Sequence, residues 1–244
     1  MGGDGAFDPV ILSLAKLWEQ GTPVVLVHGG GPEIDRALDQ RGLTTERIEG
    51  LRVTDEATLG VTEAVLCGTL NKRLVRECAS LEVRAVGISG QDGRMLVARR
   101  AANPALGYVG DVAGCDPALL HLLLAAGYVP VVAPLAINDD STLALNVNAD
   151  LAAAAIAGAL RAQAFIIVTN VPRVLRDVSD SGSGIESMSA DEAATFAASP
   201  ACSGGMKPKI DAAIAAVRDG ARASYICGVQ PLTLTLAGNA TIIG

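Results

Sequence analysis

Residues 23–35 read PVVLVHGGGPEID, and this stretch decides the fold. Pro23–Val27 is a short, continuous apolar run, the pattern of a strand buried on both faces. Gly29, Gly30 and Gly31 interrupt it, and the following residues turn into a helix. Glycines at such a junction let the backbone approach a ligand closely and point N–H groups at it. The positive end of the helix dipole adds to that attraction for an anion. A tight strand-to-helix turn needing φ > 0 would use the same residues, so the turn by itself leaves both readings open.

Outward from this point, apolar strands and helices alternate. Asp8-Pro9 reads as an N-cap followed by Pro at the first helical position. Val10, Ile11, Leu14, Leu17 and Trp18 then share one face, and Gly21 stops the helix. A long helical region is expected over about Glu56–Ser80, followed by the strand RAVGIS. RMLVARR and LGYVGDV, separated by AANPA, form a hairpin. Asp116-Pro117 repeats the cap pattern and opens a helix ending at Gly127. YVPVVAPL is a strand, NADLAAAAIAGALRA a helix and AFIIVTN a strand. The polar stretch near Asp177–Gly184 is a loop. GGMKPKIDAAIAAVRDG is a helix, with ASYIC and ATIIG as late strands. Apolar strands between helices imply an α/β fold with a mainly parallel sheet covered on both faces. Ligands in such folds bind at the carboxyl ends of strands, where glycine turns enter helices. No internal repeat or linker divides the chain. One domain over residues 1–244 is expected, with an N-terminal lobe of about 1–150 and a C-terminal lobe of about 151–244.

The chain has 244 residues, enough for a substantial core. A net charge of −7 argues against nucleic acid or an anionic membrane as the main partner. Five scattered cysteines without CxxC spacing read as small thiols in a reducing cytosol, and two histidines make a zinc site a poor reading. Mean hydropathy is +0.38. The longest uncharged apolar stretch, ALLHLLLAAGYVPVVAPLAI, is broken by Gly127, Pro130 and Pro134 and reads as helix plus strand, not as a span. No secretory n-region precedes the first helix, so a cytoplasmic protein is expected.

Four further motifs carry candidate chemistry. GLRVTD holds Arg52, whose guanidinium fork suits a carboxylate, although a surface charge is the better reading of any single Arg. GISGQDG, with Gly87, Ser89, Gly90, Asp92 and Gly93, either lines a pocket or makes the hairpin turn. LNVNAD sets Asn146, Asn148 and Asp150 at a strand-to-helix junction. One Asn would cap the helix, and Asp150 would sit where the dipole stabilises an ionised carboxylate and could orient lysines. SGGMKPKID is a second glycine-led helix start: Gly204 and Gly205 can approach phosphates, and Lys207 and Lys209 bring cations. Phosphoryl transfer needs mainly positioning and neutralisation of oxygen charge. Neither a Walker motif nor a GxGxxG fingerprint is present.

The ordered set HGGG, GLRVT, NK, GxSGxDG, LGxVGxV, NVNAD and GGMxPK resembles the amino acid kinase family, and within it the branch that phosphorylates N-acetylglutamate. The resemblance implies a three-layer αβα sandwich with a central, mainly parallel sheet. It implies transfer of the ATP γ-phosphoryl to the side-chain carboxylate of N-acetyl-L-glutamate in arginine synthesis, with Mg²⁺ held mainly by the ATP phosphates and no metal site on the protein. Gly30 and Gly31 would receive substrate and the transferring phosphoryl. Arg52 would grip the α-carboxylate, and Asn146 would hold the amino-acid end. Asp150 would organise the lysines, and Lys209 would stabilise charge on the phosphoryl in flight. Thr169, Asn170, Gly204, Gly205 and Met206 would add nucleotide contacts. A homodimer without arginine feedback is implied.

Two departures stand out. Where the family reads TDVPG, this chain has Thr169-Asn170-Val171-Pro172-Arg173, which leaves nucleotide contacts there open. Relatives also open on a strand ending in Lys-x-Gly-Gly. Here Met1 stands at the x position before Gly2-Gly3, so that first strand and its lysine are missing. Loss of a central strand would leave ladder groups unpaired, so a start assigned too late is the favoured expectation. Two rivals follow from the same residues. A kinase acting on aminoadipate or glutamate carried by a small acidic protein would use Arg99-Arg100 and Lys72-Arg73 as a basic surface. A ligand-binding relative without catalysis would bind ATP or N-acetylglutamate and transfer nothing.

Overall fold

The computed structural model describes residues 8–202 and 205–244, apart from the side chain of Leu234. The Gly2-Gly3 opening and Gly204 lie outside them. The expected first cap is present: the Asp8 carboxylate accepts from Val10 N at 2.7 Å and opens helix α1 (Pro9–Glu19), with Pro9 in its first turn. The chain divides into two compact units, Gly21–Ala152 and a second in which Ala153–Gly244 joins the segment ending at Gln20. Helix α1 therefore belongs with the C-terminal half of the sequence.

In the Gly21–Ala152 unit, strand β1 (Leu26–Val27) leads through the glycine turn into α2 (Gly31–Asp39). A short antiparallel ribbon follows, β2 (Arg47–Ile48) with β3 (Leu51–Arg52). The long helical region is continuous but changes pitch. It runs as α3 (Glu56–Glu63), a π-helical segment (Ala64–Leu70) and α4 (Asn71–Ser80). Just before the change, the hydroxyl of Thr62 is fully buried and meets no hydrogen-bond partner among the described residues. Strand β4 (Ala85–Ser89) is followed by the expected hairpin of β5 (Leu96–Arg100) and β6 (Val109–Cys115). Helix α5 (Ala118–Ala125) ends before Gly127, which takes φ +75°.

YVPVVAPL is not one strand. It breaks at Pro134 into β7 (Val129–Ala133) and β8 (Leu135–Asn138). Proline has no N–H to continue a ladder, so the break lets β8 leave the first sheet. Strand β8 joins β9 (Ala144–Val147) and the hairpin in a small closed barrel, while β1, β7 and β4 form a parallel sheet in the order β1-β7-β4. Strand β1 is shorter than the PVVLV run, because only Leu26 and Val27 find partners, at Val131 and Val132. Ile34, Leu38, Val61, Val65, Leu66, Leu70, Ala133 and Leu135 pack into one buried cluster that joins α2 to the long helix and to β7 and β8.

Helix α6 (Ala149–Ala159) leads into the second unit. There β10 (Phe165–Thr169), β11 (Ser187–Met188), β12 (Ser224–Gly228) and β13 (Thr241–Ile243) form a sheet in the order β10-β12-β13-β11. Its pairings are parallel except for β12 with β13. Helix α7 (Ala190–Ala197) starts at a capping box, Ser189 with Glu192, a local signal the sequence reading passed over. Helix α8 (Met206–Arg218) packs on β12 and β10, and α9 (Leu232–Leu236) packs on β12. The α/β class with mainly parallel pairing is thus as expected. Among the described residues no helix is long and apolar enough to cross a membrane. All five cysteines are free thiols, and burial pushes Cys67 and Cys115 up to about 11, so both stay protonated.

Candidate active site

The glycine turn is built by β1 and α2. His28 N donates to Val132 O at 3.2 Å, which holds the chain at the carboxyl end of β1. Gly30 is the N-cap of α2, and its carbonyl accepts from Ile34 N at 2.9 Å. Among the described residues the N–H groups of Gly30 and Gly31 meet no acceptor and remain available for an anion. A side chain at Gly30 would have to displace packed leucine methyls: a Cβ there would lie 2.3 Å from Leu70 Cδ1 and 2.9 Å from Leu66 Cδ2. The first residue of α6 is also close, since a Cβ on Gly29 would lie 3.8 Å from Ala149 Cβ. Two helix N-termini therefore meet at this turn.

Arg52 is not a surface charge. It is 6% exposed, its Nη1 donates to the Asp35 carboxylate, and its Nη2 donates to Gly31 O at 3.1 Å. Part of the fork is thus committed within the protein. Asp35 also takes Arg47 Nη2 at 2.9 Å. Burial pushes the Asp35 carboxyl up, but the Arg52 and Arg47 guanidiniums outweigh it and hold the group below its usual value. The Arg52 carbonyl accepts from Thr54 Oγ1 at 2.9 Å, and Thr54 Oγ1 accepts from Asn146 Nδ2 at 3.3 Å. Gly31, Arg52 and Asn146, each expected to receive the amino-acid substrate, are joined in one hydrogen-bonded series through Thr54.

Thr54 is held in turn by the segment before β6. Thr54 N donates to Leu106 O, Tyr108 N donates to Thr54 O at 2.7 Å, and Asn146 N donates to Tyr108 O at 2.9 Å. Gly107 makes this possible. It takes φ +68°, and a Cβ there would lie 2.4 Å from Thr54 O. The capping question at LNVNAD resolves to Asn148, whose Oδ1 accepts from Leu151 N at 3.1 Å. Asp150 follows, half-buried, in the first turn of α6.

In the second unit, Thr169 ends β10 half-buried and Asn170 is exposed beside it. Arg173 turns to the C-terminal segment: its Nη2 donates to Gly238 O at 3.2 Å and its Nη1 to Glu186 at 3.4 Å. Gly205 is the N-cap of α8 and Met206 its first residue. Lys207 is exposed and paired with Asp211 at 3.0 Å, whereas Lys209 is half-buried in the same turn. Ser89 and Asp92 of GISGQDG close their own turn, Asp92 Oδ2 accepting from Ser89 N at 2.6 Å. Among the described residues no three His, Cys, Asp or Glu side chains are placed to hold a metal ion.

Asp35, Thr54, His28 and Asn71 join the candidate residues without a role assigned from sequence, although His28, Thr54 and Asn71 stand within HGGG, GLRVT and NK. Asp35 had a signal, lying one helical turn beyond Gly31. Thr54 ends the GLRVT motif, but its partners come from Leu106, Tyr108 and Asn146, far along the chain, so its linking part was not legible.

The amino acid kinase family model matches residues 1–228. The acetylglutamate kinase of Methanopyrus kandleri is 44% identical over 225 residues, covering 90% of each chain. Among solved structures, smu.665 of Streptococcus mutans superposes with a TM-score of 0.81 at 25% identity, covering 100% of this chain and 92% of its own. The N-acetylglutamate synthase of Neisseria gonorrhoeae, solved with coenzyme A and N-acetyl-glutamate, gives 0.78 at 26% identity, covering 97% of this chain and 55% of its own. With its glycine turn at the head of α2 and its motifs in family order, this chain belongs to the amino acid kinase family.

Proposed function

We propose that the protein transfers the γ-phosphoryl group of ATP to the side-chain carboxylate of N-acetyl-L-glutamate, giving the acyl phosphate and ADP. The observation that carries this reading is the series Gly31–Arg52–Thr54–Asn146, which brings the glycine turn, a buried guanidinium and a side-chain amide together. The 44% identity to an acetylglutamate kinase supports the choice of acceptor.

A carboxylate oxygen of the acceptor attacks the γ-phosphorus. The bond to the bridging β-phosphate oxygen breaks, and ADP carries away the electron pair. No proton moves, because the nucleophile is already ionised. The protein's work is therefore positioning and charge neutralisation. The Gly30 and Gly31 N–H groups receive oxygens of the transferring group. The remaining N–H donors of Arg52 take the α-carboxylate, and Asn146 takes the amino-acid end. Lys209 neutralises charge on the phosphoryl group, and Asp150 fixes lysine orientation. Thr169, Asn170, Gly204, Gly205 and Met206 serve the nucleotide. Mg²⁺, carried on the ATP phosphates, supplies further neutralisation. The single domain then divides the labour, the Gly21–Ala152 unit serving the acceptor and Ala153–Gly244 the nucleotide. Five free thiols support a cytosolic setting, and the family resemblance supports a homodimer.

The carrier-linked rival needs basic side chains free to meet an acidic protein. Arg99 is paired with Asp139 at 2.6 Å, Arg100 lies over the Tyr108 ring, Lys72 is drawn to Gly87 O, and Arg73 is paired with Glu33. These commitments favour the free acceptor. Coupled detection of ADP release tests the choice: turnover is expected with N-acetylglutamate and not with the carrier conjugate, and the reverse pattern overturns it.

A further inference from the structure

The HGGG turn begins with a histidine that the transfer chemistry does not use. Its ring is buried, and everything around it fixes its protons. Asn71, 1% exposed, sits at the junction of the π-helical segment and α4. Its Nδ2 lies 2.8 Å from Val131 O, 3.2 Å from Ile88 O and 3.3 Å from His28 Nε2. Its Oδ1 lies 3.2 Å from Lys72 Nζ, which also donates to Gly87 O at 2.9 Å.

These partners leave one assignment. Two backbone carbonyls demand a donor, so the amide nitrogen must face them, and the ammonium demands an acceptor, so the amide oxygen must face it. The same nitrogen, whose two hydrogens are shared among these three contacts, faces His28 Nε2, and an amide nitrogen cannot accept. Nε2 must therefore carry the lone pair, and the ring proton sits on Nδ1. Nδ1 lies 3.0 Å from Gly29 O and donates to it. Burial, with Arg73 nearby, lowers the pKa of His28 and keeps the ring neutral, against the raising effects of the Gly29 hydrogen bond and Glu33. Gly87 leaves room for the arrangement: a Cβ there would lie 1.9 Å from Asn71 Oδ1.

The consequence falls on the next peptide. In a trans peptide the C=O and the following N–H point in opposite directions. A proton from His28 that fixes the Gly29 carbonyl therefore also fixes the Gly30 N–H, aiming it away from the ring. We propose that Asn71 and His28 are positioning residues: the Asn71 amide sets the His28 tautomer, and the His28 Nδ1–H sets the Gly29–Gly30 peptide so that the Gly30 N–H faces the incoming phosphoryl. The last step rests on the function proposed above, whereas the tautomer does not.

The test uses variants that separate the two ring nitrogens. His28→Asn places an amide N–H near the Nδ1 position, whereas His28→Gln reaches toward Nε2 and leaves Gly29 O without a donor. Space filling alone would favour Gln, the closer in size to His. The proposal expects the opposite order. His28→Asn retains most of kcat, while His28→Gln and His28→Phe lose about ten- to a hundredfold, less than the full loss of an oxyanion donor because the N–H itself remains. Melting curves of each variant establish that it is folded. Nitrogen-15 NMR of the ring reads the tautomer directly, and His121 is the only other histidine to assign. An Nδ1–H ring in the unaltered protein supports the proposal, and Asn71→Ala should let the ring redistribute between tautomers. An Nε2–H ring, or a folded His28→Gln as active as His28→Asn, overturns it. Absence of any turnover by the unaltered protein with N-acetylglutamate would instead contradict the assigned reaction, with the NMR result still deciding the tautomer.

Discussion

Arg52 shows what a single residue can and cannot announce. Its place in GLRVTD was legible, and so was the suitability of a guanidinium for a carboxylate. Its burial and its bond to Asp35 were not, because they depend on α2 and β3 meeting in space. Replacing Asp35 by Asn should leave the Arg52 charge without its counter-ion. A cost of about 1–2 kcal/mol is expected, discounted because Asp35 is partly exposed. The sign of the pH dependence follows from the lowered carboxyl pKa of Asp35. Its stabilisation is complete above the unfolded value near 3.8 and is lost as pH falls through the lower folded value. Urea unfolding should therefore show a constant gap between the two proteins near neutrality, closing only in strong acid. A second residue makes a simpler case. The buried Thr62 hydroxyl has no partner among the described residues, so Thr62→Val should be neutral or up to about 1 kcal/mol stabilising, read as a raised Tm.

Elements were read well where one face or one turn decides them. Helix α1 with its cap, the β5–β6 hairpin and the glycine-led α2 and α8 all lie where the pattern puts them. The errors share a cause. YVPVVAPL was one apolar run, and only the barrel shows why it splits at Pro134. The short strands β2, β3 and β11 have two residues each and too little pattern to see. The long helix was visible, but its π-helical segment was not, since a change of pitch has no periodicity of its own over seven residues. That segment ends at Leu70, which fills the space beside Gly30. Gly30→Ala should cost about 1–3 kcal/mol through overpacking. Leu70→Ala should cost clearly less in the Gly30→Ala background than alone, because it makes room for the new methyl. Denaturation of the four proteins measures this coupling, and strict additivity would mean that the contact does not limit the turn.

For the molecule as a whole, the α/β class and the family were legible because the motifs occur in a fixed order along the chain. Which segments share a unit was not. Helix α1 belongs with Ala153–Gly244, and no local pattern in residues 9–19 announces a partner more than a hundred residues away. The candidate residues likewise fall in both units, with Gly30, Gly31, Arg52, Asn146 and Asp150 in one and Thr169, Asn170 and Lys209 in the other. The central claim is that the protein moves a phosphoryl group onto a carboxylate, and trapping the product is its most direct test. The protein is incubated with MgATP, N-acetylglutamate and hydroxylamine. The account predicts acetylglutamyl hydroxamate formed in step with ADP, and a fall of at least about a hundredfold in Lys209→Met with the fold intact. ADP release without hydroxamate, or an unchanged rate in Lys209→Met, would contradict it.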